Sequence, residues 1–185
     1  MKVDLDAARN QTVPDVLPEA GARFDVLFSG INPSLYTAAT GHHFARPGNR
    51  FWPALHQSGF TPRLLAPAEQ AEITGYGLGI TNVAPRATAQ AAGLSADELR
   101  DGGARLRELV GKYQPRFVAI AGVTAYRTAF GRPKAAIGPQ DERDETFGPA
   151  RLWILPNPSG LNASWTLPRI AEAFRQLRLT ADRDR

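Results

Sequence analysis

The chain has 185 residues, 43% hydrophobic and 22% charged, with 22 basic and 18 acidic side chains and a net charge of +4. That is enough chain for one domain with a self-sufficient core, and too apolar for a disordered segment. Cys is absent, which excludes disulfides, thiol nucleophiles, zinc–cysteine sites and iron–sulfur clusters.

Residues 1–22 are polar, contain Pro and show no periodicity, so they read as a flexible leader. They carry acids and lack an apolar core, so no signal peptide is expected. No run anywhere approaches the ~18 apolar residues of a membrane helix. The expectation is a soluble cytoplasmic protein, nucleoid-associated in a bacterium. Residues 23–180 are expected to form a single domain, with 181–185 as a tail.

Phe24 to Ile31 is a short apolar run ended by Asn32-Pro33, which predicts a buried strand and a loop. Asn49 to Gly59 predicts a helix, with Phe51, Trp52 and Leu55 at helical spacing, and Pro67 to Ile73 a shorter one. Tyr76 to Val83 is a second strand, interrupted by two glycines. Ser95 and Glu98 form a capping box for a helix striped by Leu99, Leu106, Leu109 and Val110, ending before Pro115. Arg116 to Val123 is the third strand, followed by a helix over Thr124 to Phe130 and a Gly-, Pro- and charge-rich excursion over 131–149. Arg151 to Leu155 is the last strand, and a final helix runs from near Thr166 to about Leu179, with Pro168 in its first turn.

Short apolar strands alternating with helices predict a parallel sheet covered on both faces. Ligands of such sheets bind beyond the carboxyl ends of the strands. Two strands end in Asn-Pro loops, at Asn32-Pro33 and Asn157-Pro158, so both loops are expected at the same edge.

In the first loop Gly30 permits close backbone approach, and Asn32 can orient a water or bind a polar base edge. An amide is a poor proton acceptor, so Asn32 is no strong general base. The stretch from Thr40 to Trp52 interleaves aromatic residues with Arg, a pattern suited to stacking on bases and holding phosphates. Phe51 and Trp52 read as core, Phe44 lies in a polar loop where its exposure would need a reason, and His42 and His43 read as surface or loop-packing residues. Adjacent His side chains point apart on most backbones, so no metal site is expected. In the last loop a Pro-framed turn presents Leu161 among small polar residues, the form of a wedge that fills the gap left by an extruded base.

GINPSL, FARPGNRFW and NPSGLN, in that order and at predicted strand ends, resemble the mismatch-specific uracil-DNA glycosylase and thymine-DNA glycosylase family. The resemblance spans roughly Phe24 to Leu177. It implies a three-layer α/β/α sandwich around a mostly parallel four-stranded sheet, with no cofactor and no metal. It also implies hydrolytic excision of uracil, and of thymine or related pyrimidine lesions, from duplex DNA in which the base lies opposite guanine; a monomer suffices.

By resemblance Asn32 positions the attacking water, Gly30 and Ile31 offer backbone to the flipped base, and Phe44 stacks on it. Asn157 closes over the pocket, Ser159 lies near phosphates, and Gly160, Leu161 and Asn162 form the wedge segment. The chain departs from the family at Asn162-Ala163, where Ser-Arg is common, and at Asn82, where Lys is common. Arg46, Arg50 and Arg86 are candidate replacements for the phosphate contact, and Asp97 is a candidate auxiliary acid. A relative with a broader or different base range, or a non-catalytic DNA-binding module, are the alternative readings. An intact Asn32 and wedge argue against the latter. A generic nucleotide hydrolase is disfavoured because no P-loop or paired-carboxylate motif occurs.

Overall fold

The computed structural model describes residues 3–140 and 144–185. The first two residues of the expected leader, and Asp141 to Arg143 of the 131–149 excursion, lie outside them. Four strands, β1 (Val26–Gly30), β2 (Leu78–Asn82), β3 (Phe117–Ala121) and β5 (Arg151–Leu155), pair in parallel in the order β2-β1-β3-β5. The two-residue strand β4 (Gly138–Pro139) adds antiparallel to β5, inside the segment expected to be only a surface excursion. The sheet therefore has five strands where four were expected.

The helices are α1 (Leu35–Thr40), α2 (Phe51–Gln57), α3 (Ala96–Tyr113), α4 (Val123–Phe130) and α5 (Leu167–Arg183), the last running past the expected domain end. Pro67–Tyr76 is a 3-10 helix rather than an α-helix. Ser95 accepts from the Glu98 amide and Glu98 reaches back to Ser95, so the capping box opens α3 as its sequence requires.

Side-chain alternation on the strands explains the three layers. Val26 and Phe28 of β1 and Phe117 and Ala119 of β3 face one core with Phe51, Leu55, Phe174 and Leu177 of α2 and α5. Leu27, Val118 and Ile120 face the other, with Leu106, Val110 and Tyr126 of α3 and α4. Both faces of the central strands are dry, which is why they read as continuous apolar runs. Among the described residues no helix is long and apolar enough to cross a membrane.

Part of the expected leader is docked. Val16 bridges Ile80 antiparallel on the outer edge of β2, Ala8 is buried against Leu35, Ala38 and Ala87, and the Ala87 amide donates to the Gln11 carbonyl. Asp15 accepts from the Thr81 hydroxyl and pairs with Arg105 of α3. These contacts make residues 8–17 a strap along one side of the sheet.

Candidate active site

Parallel strands bring their carboxyl ends together, and a cavity of about 460 Å³ opens there. Gly30, Ile31 and Asn32 enter it from β1, Asn82 from β2, Ala121 from β3 and Asn157 from β5. Phe44, Ser159, Leu161 and Asn162 also line it, so the structure gathers every predicted site residue except Gly160. Gly160 instead lies against the neighbouring loop, where an added Cβ would stand 2.8 Å from the Gly48 carbonyl oxygen.

Asn32 follows β1 and precedes Ser34, whose side chain caps α1 by accepting from the Thr37 amide. Its Nδ2 donates to the Arg86 carbonyl at 2.9 Å and to Thr88 Oγ1 at 2.7 Å. Thr88 Oγ1 gives its own proton to the Gln90 carbonyl, so it can only accept from Asn32. Both amide hydrogens are thereby engaged, and Oδ1 is the group Asn32 has left to offer a ligand.

Phe44 adopts a left-handed backbone, φ 53, unusual for a bulky side chain and a mark of local constraint. Its ring stacks on Phe51 at 4.0 Å between centroids and 16° between planes, so one face is backed by the core. An added Cβ on Gly30 would lie 3.3 Å from that ring and 2.5 Å from Asn82 Oδ1. Only glycine lets ring, amide and strand end converge. Ile31 turns its side chain toward Gly122, where an added Cβ would meet it at 2.7 Å.

His43, expected as a surface or loop-packing residue, is buried and forms part of the cavity wall. A carbonyl can only accept, so His43 Nε2 donates to Pro14 O at 2.8 Å, and Nδ1 is left to accept from Asn82 Nδ2 at 3.4 Å. Burial holds the imidazole below its ordinary pKa; the Pro14 carbonyl and Asp15 pull it up less strongly, and His42 adds to the lowering. Sequence reasoning missed this residue because the Pro14 contact spans 29 positions of chain.

The Pro-framed loop after β5 is knit by its own side chains. Asn157 Oδ1 accepts from the Ser159 amide at 3.0 Å, and Ser159 Oγ accepts from the Leu161 amide at 3.2 Å. Asn162 Nδ2 donates to the Asn157 carbonyl at 3.0 Å. Leu161 remains 59% exposed on top of this fixed turn.

The three candidate phosphate hands separate. Arg86 is held by Glu98, whose carboxyl is lowered to about 2 by the Arg86 hydrogen bond and the Ser95 amide. Arg50 is spent on carbonyls of the loop after β5. Arg46 is exposed, lines the cavity and has no ion pair among the described residues. Asp97 lies in the first turn of α3, 87% exposed and paired with Arg100, and does not line the cavity. Among the described residues lining it there is no carboxylate, and no cluster of three metal-ligating side chains occurs among those described.

The family model of the uracil DNA glycosylase superfamily matches residues 17–178, and the chain belongs to that superfamily. The protein is thus a DNA glycosylase by class, a hydrolase of the bond between base and deoxyribose. Its fold is similar to the solution NMR structure of a candidate uracil DNA glycosylase from Methanosarcina acetivorans. The two are 22% identical with a TM-score of 0.59, over 91% of this chain and 98% of that one.

Proposed function

We propose that this glycosylase is of the mismatch-specific kind: it extrudes uracil lying opposite guanine in duplex DNA and hydrolyses its N-glycosyl bond, with thymine and related pyrimidine lesions as secondary substrates. The observation that carries the reading is one cavity lined by an oriented Asn32 amide, a backed aromatic and an exposed Leu161.

In this reading the extruded pyrimidine stacks on Phe44. Asn82 gives its Nδ2 to His43 and turns Oδ1 toward Gly30, so it meets the base with an acceptor. Uracil and thymine carry a donor at N3; cytosine carries an acceptor there and is disfavoured. Asn32 Oδ1 accepts from a water and aims it at the anomeric carbon. The bond breaks toward an oxocarbenium-like sugar and an anionic base; the water's oxygen bonds to the anomeric carbon, and the proton it loses passes through solvent to the departing base. Among the described residues lining the cavity no carboxylate stands ready to take the water's proton or to stabilise the cation, so turnover is slow and gains most of its rate from positioning. Leu161 fills the gap in the stack, Gly160 keeps its loop flat against Gly48, Ser159 and Arg46 meet phosphates, and Asn157 and Asn162 hold the loop in shape.

The test is single-turnover cleavage, with chelator, of duplexes holding uracil opposite guanine, uracil opposite adenine or thymine opposite guanine, beside single-stranded uracil. Fastest excision opposite guanine is expected. Equal excision in all contexts would replace the mismatch reading with a broader uracil range. Retained binding without any excision would leave a DNA-binding module.

A further inference from the structure

Arg50 sits at the start of α2 with no side-chain capping bond, in a sequence context that reads as a phosphate contact. The structure gives it another occupation. Its backbone amide donates to the Pro158 carbonyl at 2.9 Å, and Nε reaches the same oxygen at 3.4 Å. Nη1 donates to the Trp165 carbonyl, and Nη2 to the carbonyls of Ser159 and, at 2.9 Å, Asn162. One guanidinium thus gathers four carbonyls from the segment that carries Leu161. No carboxylate pairs with it among the described residues, and the protein groups that meet its charge there are carbonyl dipoles.

We propose that Arg50 is the positioning residue of the Leu161 loop: it fixes the loop in its inserting shape before DNA arrives. The inference rests on the reading of Leu161 as a wedge. An exposed leucine on an untethered loop would collapse onto apolar surface or sample many conformers, and ordering it would be charged against DNA binding. A planar donor fork can hold several divergent carbonyls at once, whereas an ammonium is a compact point of charge. The Gly160–Gly48 approach supplies a second seat for the same loop, on the turn just before Arg50.

The experiment compares the parent chain with Arg50→Ala and Arg50→Lys in two measurements. The first is amide hydrogen exchange across residues 158–165 without DNA. The second is binding of a duplex holding a tetrahydrofuran abasic site opposite guanine, read against the same duplex fully paired. Loss of loop protection is expected in both variants. With it, preference for the gapped duplex should fall by about 10- to 100-fold, the value of one or two charge-assisted hydrogen bonds. Methylguanidinium should restore preference to Arg50→Ala, and methylammonium should not. Unchanged protection would overturn the clamp, and lost protection with unchanged preference would overturn its role in insertion. Neither readout needs turnover, so an inactive parent chain would count against the proposed function and leave the clamp decided on its own evidence.

Discussion

Asn32 carries the chemistry in this reading through a single oxygen atom. Asn32→Ala should slow single-turnover excision of uracil opposite guanine by about a hundredfold while leaving affinity for the abasic duplex nearly unchanged. Equal rates in the two proteins would remove Asn32 from the mechanism. Its neighbour in the cavity wall, His43, predicts a pH effect whose sign is fixed by burial. The unfolded chain takes up a proton near the ordinary value of 6.5, whereas the folded imidazole resists it until lower pH. Between those two values the unfolded state binds more protons, so stability falls as pH drops and levels off below the folded value. Protonation would also put a hydrogen on Nδ1, facing Asn82 Nδ2 donor to donor. The melting temperature should decline as pH falls through the ordinary histidine value, and His43→Gln should flatten that decline relative to the parent; parallel profiles would exclude His43 as the titrating group.

Two of the three glycines of helix α3 have opposite consequences. Gly→Ala in a helix interior ordinarily gains roughly 0.5–1 kcal/mol by removing backbone freedom. At Gly111 nothing stands within 4 Å of the new methyl, so Gly111→Ala should raise the melting temperature by roughly 1–4 °C. At Gly102 the methyl would lie 2.2 Å from the Val83 carbonyl oxygen, on backbone that leads from β2 toward the cavity. Overpacking of that kind costs about 1–3 kcal/mol and overrides the entropic gain, so Gly102→Ala should melt lower than the parent; thermal scans of the two variants side by side decide it. The strands and the cap of α3 were legible because their signals are local: apolar runs between turn residues, and an S-x-x-E box. The six-residue α1 was not, since one capping Ser34 is its main mark. Strand β4 was hidden because two residues carry no pattern. Arg50 and Arg86 read as phosphate hands because nothing local shows that distant carbonyls and Glu98 hold them. Asn32, Phe44 and Leu161 were singled out through motif order and line one cavity, while the places of His43 and Thr88 in its wall depend on long-range contacts.

Across the whole molecule the chain is rich in Arg and has Lys2, Lys112 and Lys134 as its three side-chain amines. Lys112 lies in the last turn of α3, and neither it nor Lys134 lines the cavity. Among the described residues lining the cavity there is no lysine, so none of them can form a Schiff base with the sugar and cleave the strand by that route. Borohydride added during uracil excision should therefore trap no covalent protein–DNA adduct, and a trapped band on a denaturing gel would contradict a purely hydrolytic reaction. The strap over residues 8–17 bears on the same cavity from outside: Gln11 holds the loop behind Asn32, Pro14 fixes the ring that orients Asn82, and Val16 pins the edge of β2. None of the strap's residues lines the cavity. Pocket shape is thus open to adjustment from a segment under no demand to contact substrate. A substitution in the strap can therefore reshape the cavity while every cavity-lining residue stays the same.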